Sequence, residues 1–424
     1  MTSPPEQHPR DTAPGADLPS NPARPRLLFL SQCLPYPPDG GVKIRTYHIL
    51  RLLASAFDIT ALCFYRAKGV SGGEDVESAV EALSDLAHVE AFPIPQEHGR
   101  GRFVLDNVRS LIERRVYTRY VYASAPYRRR LTRLLRDARF DLVHADSLDL
   151  AVYFPMIDGI PLVCVHHDAQ SVLLSRRARH SRGLMKSYLA YQARRMAAEE
   201  RLWCPRVSLN VTVSDEDSKA LKALAPDGRF VTVPNGVDTG YFQPTAGAQS
   251  GMVFVGGTSW FPNKDALGYY RRSILPVLRS EGVTARTIWV GRATEDEQRS
   301  AGLDTGVELT GYVEDIRPHV ARAACYVVPL RIGGGTRIKI LDAWAMGKAV
   351  VSTSIGCEGL QAVDGENILI RDDPAAFAQA VGQILGDPDL RQRLGRAGRA
   401  TVQAKYSWEA IGRPMVQKYK ELMT

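Results

Sequence analysis

The stretch PLRIGGGTRIKILDAWAMGKAVVS, residues 329–352, decides how this chain is read. Its spacing predicts a strand end, a triple-glycine turn, a helix with a basic start and a second apolar strand. Gly333, Gly334 and Gly335 lack Cβ atoms, so their backbone can take positive φ and turn N–H groups toward bound oxygens. Thr336 is placed to cap the helix that follows. A helix N-terminus attracts anions through unpaired N–H groups and its macrodipole, and Arg337 and Lys339 add full positive charge there. Two cations in a first turn oppose the dipole, so an external anion is needed to offset the repulsion. The segment is expected to cradle a phosphorylated ligand, with a solvated basic turn as the alternative.

Outward from this stretch, 424 residues are too many for one ordinary core and suit two domains. A hydrophobic content of 45% and a charged content of 24% are ordinary globular values. No run of 18 apolar residues is present, and no apolar signal core follows the Pro-rich start, so a cytoplasmic chain that does not span a membrane is expected. Six cysteines are scattered without CxxC pairs, which reads as reduced core thiols and gives no metal site. The net charge of +8 is uneven: residues 98–206 hold 21 Lys and Arg against 10 Asp and Glu. Such a basic half suggests an anionic partner. There, Tyr117, Tyr120, Tyr122 and Tyr127 interleave with Arg128, Arg129 and Arg130, as a solvated helix face or as a surface resting on an anionic membrane. No nucleic-acid motif accompanies them, so nucleic acid is not expected as a partner.

Residues 1–24, rich in Pro and polar groups, are expected to be a disordered tail. After them come strand-like runs at RLLFLSQ, DITALCFY, HVEAFPI, DLVHADS, PLVCVHH and LNVTVSD, with helical spacing between most of them. The order begins again past a turn-rich connector, VPNGVDTGYF at 233–242, with GMVFVGG, ARTIWVG, GVELTGY, CYVVPL, AVVSTS and ENILI. The fold class is therefore α/β, with two Rossmann-like, doubly wound domains at 25–238 and 239–405 and a final amphipathic helix at 406–424. Ligands of such sheets bind outside the carboxyl ends of the strands, so two facing domains enclose a cleft.

With two such domains, VPNGVD and GGGTRIKILDAWAMGKAVV, the chain resembles the GT-B retaining glycosyltransferases of the family four group over residues 26–424. Phrases such as PYPPDGG and GGGTR-K-L are most similar to bacterial sugar transferases of exopolysaccharide and cell-envelope pathways. The resemblance implies a first domain that binds the acceptor, a second that binds a nucleotide-sugar, and a last helix that packs back on the first. It implies that Arg337 and Lys339 hold the donor diphosphate with Gly333, Gly334, Gly335 and Thr336, and that Asp342 accepts ribose hydroxyls. Gly334 stands where the family carries the first glutamate of its Glu, seven residues, Glu pattern. Glu358 is a candidate to take over that sugar contact.

By the same resemblance, Gly256 and Gly257 admit the donor, Lys264 binds phosphate, and Gly311, Tyr312 and Val313 offer backbone groups to the base. Gly40 and Gly41 bring N–H groups close to the donor phosphates and the acceptor. His167, followed by Asp168 at a strand tip, faces the donor sugar; strand alternation sends His166 to the other face. His144 is a weaker candidate behind it. The implied activity is metal-independent transfer, with retention, of a hexose-like sugar from a nucleoside diphosphate to an acceptor hydroxyl. No cofactor beyond the donor is implied, and the acceptor is a glycan, a lipid-linked sugar or a small molecule. The rival readings are a GT-B nucleotide-sugar epimerase and a catalytically silent GT-B partner subunit.

Overall fold

The computed structural model describes residues 24–66, 75–97, 101–247, 249–302, 306–332 and 338–423. Gly333, Gly334, Gly335, Thr336 and Arg337 lie outside the described residues, as does nearly all of the N-terminal tail.

The first sheet contains β1 (Arg26–Ser31), β2 (Asp58–Tyr65), β3 (His88–Pro93), β4 (Leu142–Ala145), β5 (Leu162–His166), β6 (Leu209–Thr212) and β7 (Phe230–Thr232), in the order β3-β2-β1-β4-β5-β6-β7. The second contains β8 (Met252–Val255), β9 (Thr287–Val290), β10 (Val307–Leu309), β11 (Cys325–Val328), β12 (Ala349–Ser352) and β13 (Leu369–Ile370), in the order β10-β9-β8-β11-β12-β13. Every pairing in both sheets is parallel. This is the expected α/β class with two doubly wound sheets.

The alternation of side chains explains why the strands are apolar throughout. Along β1, Leu27 and Phe29 enter a core on one face of the first sheet, while Leu28 and Leu30 enter a separate core on the other. The expected strands are all present. β7 is an addition, and its three residues are half-buried on the sheet edge, too short and too mixed to show a period.

The chain crosses back at its end. Trp408, Ile411, Met415 and Tyr419 of the helix Trp408–Lys420 belong to the core of the first sheet, and Trp408 stacks on His48 at 4.6 Å. The connector is fitted to that crossing. Val237 N donates to Tyr406 O at 2.8 Å, and buried Arg45 donates to Val233 O (2.9 Å), Pro234 O (3.0 Å) and Asn235 Oδ1 (2.9 Å).

Of the two readings of this run, Arg128 and Arg129 are exposed as on a solvated helix face, while Tyr117, Tyr120, Tyr122 and Tyr127 do not form a lipid-facing row. Tyr127 is fully buried between Phe64 and Tyr153, with ring centroids 4.5 and 4.6 Å away, and Tyr120 is also buried. Tyr117 and Tyr122 are half-buried, and Arg130 forks onto Glu90 at 2.5 and 2.7 Å. The residue types are amphipathic, and packing used their apolar bodies. All six cysteines are free, and no described helix is long and apolar enough to cross a membrane.

Candidate active site

In each sheet the strand order reverses at one place, between β1 and β4 in the first and between β8 and β11 in the second. Loops diverge at such points and leave a crevice. The structure brings the two crevices together. A Cβ added at Gly41, which starts the helix Gly41–Ala54 after β1, would lie 3.7 Å from Ile338 Cδ1 at the start of the helix Ile338–Ala345 after β11. Beside them, Arg292 of the second domain lies 3.8 Å from Asp39 of the first. Gly40 caps its helix with extended backbone, and neither a side-chain cap nor an acidic residue occupies that first turn.

On the second-domain wall, Lys339 Nζ donates to Asn263 Oδ1 at 2.8 Å and sits 4.0 Å from the Phe254 ring centroid. The neighbouring Gly256 has φ 155°, and a Cβ there would come within 2.5 Å of Asn263 Nδ2 and 2.9 Å of Lys339 Nζ. A glycine is needed where the ammonium meets the end of β8. Gly257 is similarly close to the Arg292 carbonyl, at 2.9 Å from an added Cβ. One turn past Lys339, Asp342 is buried, and burial pushes its carboxyl up to about 7 against the pull of the Lys339 charge.

Lys264 is exposed but paired, with Nζ 2.8 Å from Glu297 Oε1, while Thr258 Oγ1 donates to Glu297 Oε2 at 2.6 Å. Those two hydrogen bonds hold the Glu297 carboxyl down to about 2. A phosphate at Lys264 must therefore compete with Glu297. Gly311, at φ 74°, accepts from Gly291 N at 3.2 Å. Tyr312 is exposed under the Arg292 guanidinium, 4.9 Å from its ring centroid, and Val313 packs half-buried on the core. Sequence reading missed Arg292, Asn263 and Glu297. Only the strand end before Arg292 and the PNK spacing hinted at the first two.

On the first-domain wall, half-buried His167 has Nε2 2.7 Å from the Asp146 carbonyl and 3.6 Å from Asp146 Oδ1. His166 turns to the opposite side, where it is buried against Asn210 Oδ1 at 2.9 Å and lowered by that burial to about 4. His144 is fully buried, stacked on Phe29 at 4.2 Å, with Nδ1 3.0 Å from Tyr419 Oη of the last helix. Its Nε2 lies 3.7 Å from Asp146 Oδ1, and Thr46 Oγ1 donates to Asp146 Oδ2 at 2.6 Å. Burial resists ionisation of Asp146, yet its electrostatic interactions with the neighbouring His167 and His144 rings hold it well below the usual carboxylate range. Asp146 was not singled out from sequence. Glu358 does not stand open as a sugar contact in this state, because both of its oxygens face Arg176 of the first domain. Among the described residues, no group of three or more His, Cys, Asp or Glu is placed to hold a metal ion.

Comparison with known proteins identifies the family. The family model described as Glycosyltransferase Family 4 matches residues 39–241, and that described as Glycosyl transferases group 1 matches residues 249–387. The chain belongs to these GT-B glycosyltransferase families. Among curated relatives, the lipopolysaccharide core biosynthesis glycosyltransferase LpsE of Rhizobium meliloti is 38% identical over 114 residues, 26% of this chain and 33% of that protein. The GDP-mannose-dependent alpha-(1-6)-phosphatidylinositol monomannoside mannosyltransferase of Mycolicibacterium smegmatis is 29% identical over 220 residues, 46% of this chain and 57% of that protein. The matches thus span about a third and just over half of these relatives' lengths. Among solved structures, sucrose-phosphate synthase from Thermosynechococcus elongatus superposes with a TM-score of 0.68 at 17% identity, covering 94% of this chain and 99% of that one. HepE of Anabaena, in complex with UDP and glucose, gives 0.65 at 16% identity, covering 94% and 100%. At these identities the structures establish the shared GT-B fold.

Proposed function

We propose that this protein transfers a hexose-like sugar from a nucleoside-diphosphate sugar to an acceptor hydroxyl, with retention and without a divalent ion, in glycoconjugate biosynthesis. The observation that carries this reading is Lys339, held by Asn263 against Gly256 at the point where the two crevices meet. The relatives are consistent with it: one mannosyltransferase is GDP-mannose-dependent, and HepE was crystallised with UDP and glucose.

The hard step is departure of the nucleoside diphosphate. Negative charge gathers on its phosphates as an oxocarbenium-like centre forms, and a fixed cation that meets this charge lowers the barrier. Lys339 is held in advance of the reaction by its amide partner and the Phe254 ring. Arg337, two residues earlier in sequence, is assigned the same role. Asp342 receives ribose hydroxyls, while the backbone at Gly40 and Gly41 approaches the phosphates from the other domain. His167, its Nε2 tied to the Asp146 carbonyl, orients the sugar. The departing phosphate then helps to take the proton of the attacking hydroxyl on the same face. The acceptor is a glycan, a lipid-linked sugar or a small molecule.

The test is a thermal-shift panel of UDP, GDP, dTDP and ADP with their common sugars, since a ligand of the native state raises stability by mass action. A shift with one nucleotide that disappears in Lys339→Ala is expected. A panel without any shift would transfer weight to a silent partner subunit.

A further inference from the structure

The helix Arg102–Ile112 is built inside out. Its polar residues Asp106 and Ser110 are 1% and 0% exposed. Ser110 Oγ donates to Arg115 O at 2.8 Å and accepts from Gln192 Nε2 at 3.0 Å, and Asp106 pairs with Arg102 at 3.5 Å. Its apolar residues point away from the protein: Phe103, Val104, Leu105, Val108, Leu111 and Ile112 are 60, 63, 56, 45, 52 and 75% exposed. At helical pitch these six share an arc of roughly 200°, the stripe that a globular helix ordinarily turns toward its core.

A second element extends the face. The helix Gly183–Trp203 packs alongside, with Tyr191 Oη donating to Ser110 O at 3.1 Å and Tyr188 Oη donating to Asn107 Oδ1. About one turn before Tyr188 are Leu184 and Met185, 91% and 57% exposed. A contiguous apolar surface of this kind marks an interaction site.

Charge identifies what covers it. Residues 169–198 contain seven Lys and Arg and no Asp or Glu. Exposed Arg182 and Lys186 bracket Leu184 and Met185, and exposed Arg114 follows Ile112, with Arg115 beside it paired to Glu199 at 3.3 Å. Glu113, at the helix end, is engaged by Arg109 at 3.4 Å and by the Tyr120 hydroxyl at 2.7 Å. A second copy of this chain would set one cationic rim against another. A bilayer containing acidic lipid matches both features, with acyl chains for the stripe and headgroup phosphates for the rim.

We propose that the helix Arg102–Ile112, together with Leu184 and Met185, docks this protein on an anionic lipid bilayer, the apolar side chains entering the headgroup boundary. This goes beyond sugar transfer and stands or falls separately from it.

The test is sedimentation of the full chain with vesicles of phosphatidylcholine alone and of phosphatidylcholine with one third phosphatidylglycerol, at low and high salt. Binding to the anionic vesicles that weakens with salt is expected. The combined variant Phe103→Ser, Val108→Ser, Ile112→Ser should lose at least tenfold in partitioning with an unchanged melting temperature, because these side chains are exposed. Arg182→Gln with Lys186→Gln should weaken anionic binding by about fivefold per charge, the scale of one basic residue at an acidic surface. Nucleotide thermal shifts should be unaffected in both variants, which separates this proposal from the donor site. The proposal is overturned if the wild type ignores anionic vesicles, or if the triple variant binds as well as wild type. It is equally overturned if light scattering shows a dimer that the triple variant dissociates while vesicles are ignored, since the stripe would then be covered by a second copy.

Discussion

Arg176 and Glu358 join the two domains by a forked pair, Nη1 2.5 Å from Oε2 and Nη2 2.6 Å from Oε1. Arg176 lies on the helix Gln170–Arg179, shortly after His167, and Glu358 follows the turn Ile355–Cys357 after β12. Two parallel charge-assisted bonds make this a clasp across the domain boundary. The side chains are 29 and 23% exposed, so solvent screening reduces its worth. A double-mutant cycle with Arg176→Ala and Glu358→Ala should give a coupling energy of about 1 kcal/mol in thermal or urea melts. Strictly additive losses would show that the pair contributes nothing.

Lys339→Ala is expected to lower turnover by about a hundredfold at saturating donor, the scale of removing one preorganised group that meets developing charge. Asn263→Ala should give a smaller loss, because the ammonium remains but its hydrogen-bonded anchor is gone. Steady-state rates with the donor found by thermal shift decide this. Near wild-type turnover in Lys339→Ala would remove the diphosphate assignment.

Asp342 links stability to pH. Burial raises its carboxyl from 3.8 to about 7, so the folded state holds a proton that the unfolded chain has released. Its contribution is fully present below about pH 3.8 and is lost as pH rises through 7. Glu200, also raised to about 7 by burial, adds a slope of the same sign. Comparison of wild type with Asp342→Asn isolates Asp342. The variant should gain stability relative to wild type as pH rises from 4 to 8, on the scale of about 1.4 kcal/mol for each tenfold difference in proton affinity between the folded and unfolded carboxyl. It should also bind the nucleotide about tenfold more weakly if the carboxylate receives ribose hydroxyls, about 1.4 kcal/mol. Parallel pH dependences in the two proteins would contradict the burial argument.

Gly236, in the VPNGVD connector, leaves no room for a side chain. An added Cβ would lie 2.5 Å from Trp408 Cδ2, on the rigid indole of the returning helix. Gly236→Ala should destabilise by about 1–3 kcal/mol, the ordinary cost of overpacking. In a Trp408→Ala background the same substitution should cost much less, because the clashing ring is gone. Equal costs in both backgrounds would place the glycine's role in its backbone instead.

From sequence alone, the fold class and the expected strands were legible, because a strand buried on both faces must be a continuous apolar run closed by turn residues. The candidate cations and glycines were legible for a similarly local reason: charge in a first helical turn and a missing Cβ are properties of the residue itself. β7 was not, since three half-buried edge residues carry no period. Tertiary structure alone decided who partners whom. Arg176 meets Glu358 across 182 residues, Lys339 meets Asn263 across 76, and Asp146 collects Thr46 and His167 from two other segments. Such contacts depend on position in space, which chain folding sets and local composition does not. Packing also decided the direction of an apolar stripe: buried Asp106 and the hydrogen bonds of Asn107 and Ser110 to the neighbouring helix leave Phe103, Val104 and Ile112 facing outward.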